Sequence, residues 1–566
     1  MKKTIIKFFA ALVCIAAAIF FLPLYGVSAD APPTFTTGAV TVYVGWDNYL
    51  SDISNISESA TVKYKSGSKK IATVDVDGQV TGIAPGKTTI KATVKDGGKK
   101  YTTELKVTVK NPYSELTAST ERMSVGSSFR FTLERYGHRE PVKWSLLGNE
   151  FATIEADSPT DCVLTATAPG TVTLLAECDG TVFTSVVKIY EGTGEVFYIT
   201  PETEPYNNAY TTYGTYNKKT KHYYMLRSYL EHIDREKGGV LVLSKGTYTV
   251  TNTLCIPSNC TLWLEDGARV LKSYDTGTTG LTYTRSLFQT VSFSNSSRTG
   301  IFKKYNGEHD INILGEGDAR IDLDNLDCVG IVVGHCTNLK INGIRFLNLN
   351  SNHFIEIDAT KNASITGNFF SGCVESSSTR KEAINIDTPD ENTHGFIQNW
   401  TSYDKTPDDG ILIADNVFYN LEAAVGTHKY SEGYMHKNIN IVNNTFINIS
   451  TYAIRGMNWY KPNISGNLIM LTSLPEDERI GLIFNGCTSP AVTNNRFENY
   501  TTPISFYHWQ NSGSGSNYNP IYNILEKPDI ENFKTNETVG CENSYVEYYN
   551  EFDNFEPETI TKYAFS

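Results

Sequence analysis

Apolar and polar residues alternate in short runs over 33–110, each run broken by a glycine turn, and the same rhythm resumes over 113–190. Period-two alternation marks half-buried strands. It predicts two small antiparallel sandwiches, at 30–110 and 111–192. Near 195 the period changes. Met225, Leu226, Tyr229, Leu230 and Ile233 recur at helical spacing, which predicts an amphipathic helix over 222–235, ended by Gly238-Gly239. Beyond it one six-residue frame returns six times: Ile341–Phe346, Ile365–Phe370, Ile413–Phe418, Ile441–Phe446, Ile464–Ile469 and Val492–Phe497. Its last positions are separated by 24, 48, 28, 23 and 28 residues. A period in the twenties means one solenoid coil per repeat, because a single coil buries its apolar face only by stacking on its neighbours. The expected fold is all-β, with a C-terminal parallel β-helix over 195–566, capped by the helix at its N-terminal end. The Phe column should stack inside. Asn368, Asn416, Asn444, Asn467 and Asn495 should form a ladder at one turn. The step of 48 holds one extra loop, placed within 388–406, with His394, Trp400 and Tyr403.

Each repeat is followed by a second short strand. With Ile355, Ile384, Val425 and Ile454 inward, the residues one and three later face out. The outward set is Glu356 and Asp358, Asn385 and Asp387, Gly426 and His428, Arg455 and Met457. Stacked strands lie about 4.8 Å apart, so three carboxyls, an amide, an imidazole and a guanidinium fall within roughly 15 Å on one face. Crowded carboxyls raise one another's pKa, which keeps an acid protonated near neutral pH. Glu356 and Asp387 should be about 8 Å apart on the diagonal, in the range for an inverting glycosidase. Asp358 and Asp387 should be about 5 Å apart, nearer the range for retention. The alternative for this face is a solvated, salt-bridged surface. Glu382 has inward parity and either curls to the face or caps a turn. Asp408-Asp409 reads as a turn. Trp400, Tyr430, Trp459 and Tyr460 are candidates for stacking on sugar rings, with Tyr434 and Trp509 beside them. Lys429 is a candidate for an acidic sugar.

Composition and charge narrow the class. The chain has 566 residues, 40% hydrophobic and 20% charged, a globular composition. Residues 1–29 read as a signal peptide. Lys2, Lys3 and Lys7 precede an apolar run from Phe8 to Leu24, and Val27-Ser28-Ala29 is a small-residue cleavage site. The alternative is an uncleaved anchor. Cleavage removes three Lys and no acidic residue, so the net charge goes from −13 to −16. That sign argues against nucleic acid as a partner. No further stretch is apolar enough to span a bilayer, so the expected product is secreted and extracellular, or held at the cell surface without a membrane anchor. Cys14 leaves with the signal, and nine cysteines remain. Cys162 with Cys178, and Cys255 with Cys260, are candidate bridges. Cys328, Cys336, Cys373 and Cys487 read as core. No zinc-type Cys/His spacing occurs, so no metal is expected from motif.

Three resemblances follow from these residues. The stretch Ile71–Ile90, with its Asp77-Gly78 turn and Ala84-Pro85-Gly86, resembles the bacterial Ig-like domain, group 2. Residues 113–190 look like a degenerate second copy. Such modules imply spacing, or attachment to wall or glycan. The helix followed by stacked strands resembles the pectin-lyase-like right-handed parallel β-helix. The order carboxylate, carboxylate, His, Arg on successive coils resembles the polygalacturonase group of glycoside hydrolases. That resemblance implies Asp358 and Asp387 as acid and base, with His428 and Arg455 holding a polysaccharide. The chain departs from that group at Gly426-Thr427-His428 and at Met457, where the group has Gly-His-Gly and Lys, and it lacks Asn-Thr-Asp. The expected activity is hydrolysis of a polysaccharide with no cofactor. Two alternatives stand beside it. One is a lyase with Ca²⁺ on Glu356, Asp358, Asn385 and Asp387 and Arg455 as base. The other is a non-catalytic, carbohydrate-binding adhesin.

Overall fold

The computed structural model describes residues 31–45, 49–137, 140–374, 381–511, 518–549 and 560–565. The signal segment 1–29 lies outside the described residues. In the first sandwich a four-stranded sheet (Ala39–Tyr43, Lys99–Lys110, Gly86–Asp96, Thr61–Ser66) faces a three-stranded one (Tyr49–Leu50, Gln79–Gly82, Ala72–Val74). Alternate residues point inward, and Val42, Val80, Ile90, Leu105 and Val107 are buried between the sheets. At the expected turn Gly78 has φ +88°, and the Asp75 carboxylate accepts N–H bonds from Asp77 and Gln79. The second sandwich has two four-stranded sheets. Its two cysteines correct an expectation. Cys162 and Cys178 sit on strands of different sheets, enter different apolar clusters, and are both free. Cys255 and Cys260 are also free.

The helix runs Lys221–Glu236. It buries Met225, Leu226, Leu230 and Ile233 against the first coil, at strands Gly239–Leu243, Gly246–Val250 and Leu254–Cys255. Lys237 at φ +63° turns the chain, and Gly238 N–H returns to the Ile233 carbonyl. From there strands pair in parallel, coil upon coil, as far as Tyr545–Tyr549, which the last strand, Ile560–Ala564, joins antiparallel. One strand of each coil joins a sheet that runs from Val196–Ile199 to Ala491–Thr493. The second and third strands of each coil join a nineteen-stranded sheet.

The internal columns are as the repeat implies. Phe346, Phe370, Phe418 and Phe446 stack with ring centroids 4.8 Å apart and planes within 7°. That distance is the strand spacing, so backbone ladder and ring stack share one period. The asparagine ladder is continuous. Asn368, Asn416, Asn444, Asn467 and Asn495 each donate to the next amide oxygen at 2.9–3.1 Å, and Asn536 extends the series by one coil. Each oxygen also accepts the backbone N–H of the preceding ladder asparagine, so polar groups buried at the turn are satisfied. The extra loop lies at 388–408, between strands Glu382–Asp387 and Asp409–Ala414.

Candidate functional site

The strands that carry the site are Val329–Gly334, Ile355–Asp358, Glu382–Asp387, Val417–Gly426 and Thr445–Met457. Their register aligns Val332, Glu356, Asn385, Gly426 and Arg455 in one row, and Gly334, Asp358 and Asp387 in the next. Ile355, Ile384, Val425 and Ile454 are fully buried in the core, so the alternation sends both rows to the opposite face.

The loop 388–408 then changes what that face exposes. Phe396 and Trp400 pack with Val291 and Val332 on the outer surface of the coils, over Gly334. Gly395 lies so close to Asp387 that a Cβ there would come within 2.9 Å of its carboxyl group. Asp358, Asn385 and Asp387 are therefore fully buried. Both oxygens of Asp358, both polar atoms of the Asn385 amide and Oδ2 of Asp387 have no hydrogen-bond partner in the protein. Burial, then the charges of Glu356 and Asp387, holds Asp358 well above the usual carboxylate range. Burial raises Asp387 as well, against the pull of His428. These two acids were expected to meet substrate; the loop roofs them over.

Glu356 stays at the surface of the face. It lines a cleft of about 630 Å³ with His353, His394, Gly395, Gln398, His428 and Gln289. Burial pushes its carboxyl up to about 8, helped by Asp387. Glu382 curls outward to the same place. Its Cγ lies against Gly426, its Oε1 accepts the Tyr452 hydroxyl at 2.6 Å, and its Oε2 is 3.5 Å from His428 Nδ1. Burial alone would raise Glu382. The charge of His428 and the Tyr452 hydroxyl override it and hold Glu382 below the usual range. His428 is raised in return: burial lowers it, and Glu382 outweighs that. His353 bonds through Nδ1 to the Glu382 carbonyl at 2.7 Å and stacks on His428, ring centroids 5.6 Å apart. Burial pushes His353 down to about 4, so its ring is neutral. The arrangement thus sets a protonated carboxyl and a neutral imidazole at one opening, with an ionised carboxylate buried behind His428. Environments that push paired acids apart in this way mark acid and base roles.

His353 was missed in the sequence. It lies two residues before the inward Ile355, in the strand's lead-in, where alternation does not assign a face.

The remaining candidates are distributed differently. Arg455 is buried, bonds Asn485 Oδ1 at 2.9 Å and lies 4.5 Å over the Trp509 ring. It lines a second, smaller hollow of about 310 Å³ with Arg479, Tyr507 and Trp509. Met457, expected outward, is fully buried. Four substrate contacts are corrected. Trp400 is buried under the loop against Phe396 and Phe302. Trp459 is core and bonds Thr427. Tyr430 is buried and bonds the Asn519 carbonyl. Lys429 reaches the Thr393 carbonyl and so ties down the loop. Tyr460 is exposed but lines neither hollow. Asp408, expected in a turn, is fully buried; it accepts the Thr360 N–H at 2.7 Å and pairs with His436 at 3.0 Å.

No helix among the described residues is long and apolar enough to cross a membrane. No curated protein matches the sequence. Among solved structures, the Streptococcus pneumoniae surface protein and adhesin PfbA is similar at 16% identity and TM-score 0.43, covering 62% of this chain and 91% of its own. Domains 4 and 5 of the S-layer protein SbsC are similar at 24% identity and TM-score 0.17, over 23% of this chain and 70% of theirs. Residues 32–105 match the bacterial Ig-like domain (group 2), and the first sandwich is a domain of that kind.

Proposed function

We propose that the chain is a secreted glycoside hydrolase that cuts a polysaccharide in the cleft over Glu356. The observation that carries the reading is convergence. Glu356 and His353 from one coil and His428 from another line one opening of about 630 Å³, within the size range of ligand sites, and Glu382 from the coil between lies buried behind His428. Glu356 is the proton donor to the leaving oxygen, since burial keeps its proton near neutral pH. His353 and His428, the latter held by the ionised, buried Glu382, form the side that orients water. Asp387 acts from beneath, by helping to keep Glu356 protonated. The Ig-like sandwiches serve as spacers or as attachment to wall or glycan, with the N-terminal segment directing export.

The lyase alternative needs an oxygen-rich Ca²⁺ site. Asp358, Asn385 and Asp387 lie under the loop, and the one close trio of His, Cys, Asp or Glu ligand atoms among the described residues is a different set.

The test is product analysis on a panel of plant and bacterial polysaccharides, with and without Ca²⁺. New reducing ends without ultraviolet absorbance, lost in Glu356→Gln, support hydrolysis. Unsaturated products that need Ca²⁺ would overturn it in favour of the lyase. Binding without cleavage would favour the adhesin.

A further inference from the structure

Each ligand atom of His353, Glu382 and His428 lies within 4.8 Å of the other two. We propose that these three side chains form a site for a divalent first-row transition-metal ion, with zinc as the reference ion. Two imidazole nitrogens and one carboxylate oxygen are the donor set of many such sites. It is a poor set for Ca²⁺, which takes six to eight oxygens.

The surroundings support the assignment independently of the trio. His353 bonds through Nδ1 to the Glu382 carbonyl at 2.7 Å, so Nδ1 carries the hydrogen and Nε2 the lone pair. That backbone partner is the kind of outer contact that fixes a ligating imidazole. Glu382 is likewise held at one oxygen, Oε1, by Tyr452 at 2.6 Å. Its other oxygen, Oε2, is buried and has no hydrogen-bond partner, as is Nδ1 of His428. The two atoms face each other at 3.5 Å. A fully buried carboxylate oxygen facing His428 Nδ1, with its partner oxygen clamped and the His353 ring beside it at 3.8 Å, is set for a cation between the two rings.

Size agrees. Ligands about 2.1 Å from a tetrahedral ion stand about 3.4 Å apart. The trio must draw in by up to about 1.4 Å, and His428, the most exposed of the three, has room to turn. The open side faces the cleft, where His353 and His428 form part of the wall. Three protein ligands with one position open to solvent is the pattern of a reactive rather than a structural site. The proposal stands whether or not a glycan is cut, because it concerns binding of the ion alone.

The experiment uses the full chain, stripped with chelator and dialysed, without an affinity tag that binds metal. Zn²⁺ is titrated calorimetrically, and Co²⁺ is titrated by visible absorption. The expected result is one ion per chain, with Co²⁺ bands of four- or five-coordinate geometry. His428→Ala should weaken binding at least about 100-fold, and Tyr452→Phe, which removes the hydroxyl that holds Glu382 Oε1, by about 10-fold. His428 is partly exposed, so its removal should leave the circular dichroism and melting curve intact; His353→Ala serves as the second variant. His309→Ala, at an exposed histidine, is the control and should bind as the wild type does. No ion bound by the wild type, or binding equal in wild type, His428→Ala and His353→Ala, would overturn the proposal.

Discussion

Asn444→Ala tests whether the asparagine ladder holds the solenoid together. Asn444 Oδ1 accepts the Asn416 backbone N–H at 2.9 Å and the Asn416 side-chain amide at 3.0 Å. Its own amide donates to the carbonyls of Ile413 and Val442 at 2.9 and 3.1 Å, and to Asn467 Oδ1 at 3.1 Å. Truncation leaves the Asn416 backbone N–H with no acceptor and the Ile413 carbonyl short of a donor. The Asn416 side chain keeps its bond to Ile365, and Asn467 Oδ1 keeps the Asn444 N–H. Two buried groups are thus orphaned, at about 1–3 kcal/mol each, so the expected loss is about 2–6 kcal/mol. Asn463→Ala is the control. Asn463 makes one peripheral side-chain bond of 3.3 Å, and its loss should stay within about 0.5 kcal/mol. The assay is urea unfolding followed by tryptophan fluorescence, for which buried Trp459 and Trp400 report on the coils. Hydrogen exchange at the Asn416 amide should accelerate in parallel. A midpoint for Asn444→Ala equal to that of Asn463→Ala would refute the reasoning, and the ladder would then be a consequence of stacking rather than a support for it.

Glu356→Gln should abolish cleavage while leaving the melting curve unchanged. The wild-type rate should fall as pH rises through about 8, the point to which burial and Asp387 push Glu356. The groups facing it are Asp358, Asp387, His353, His394 and His428, with Arg285 and Asp327 across the cleft; a profile flat from pH 6 to 9 would remove Glu356 from the acid role. Lys381 and Glu422 form a buried pair at 2.9 Å. Lys381→Met should destabilise by about 3–5 kcal/mol, and Lys381→Met/Glu422→Met should recover most of that loss in the same unfolding assay. Lys272 is buried against the carbonyls of Thr251 and Ser286, and burial lowers it to about 8. Between that value and about 10.4 the unfolded chain binds more protons at this site than the folded one, so its contribution to stability rises with pH. The stability of the wild type relative to Lys272→Met should therefore increase by up to about 3 kcal/mol from pH 7 to 10.5, and no change would sink the assignment.

Sequence by itself determined the repeat and most of what the repeat implies. A side chain's direction along a strand alternates, so the Ile355, Ile384, Val425 and Ile454 column had to be inward once one member was. Stacked coils then had to bring Phe370 onto Phe418 and Asn416 onto Asn444, because identical positions on neighbouring coils meet at the strand spacing. The same logic placed Glu356, Asp358, Asn385 and Asp387 on one face. It did not reveal which of them meets solvent. That was decided by the loop 388–408, whose path depends on where Phe396 and Trp400 find apolar surface, at Val291 and Val332. Those contacts lie 64 to 109 residues away in sequence, and no local period encodes them. The loop turned Trp400 and Lys429 from candidate sugar contacts into its own supports, and left the opening to Glu356, His353 and His428, while Tyr430 packs on Tyr518. Neither His353 nor Glu382 has a parity that points outward. The three ligand candidates also carry no motif, since they are separated by 29 and 46 residues and converge only because successive coils stack. Direction along a strand is local covalent geometry and can be read from the chain. What covers a face is long-range packing, and only the folded structure decides it.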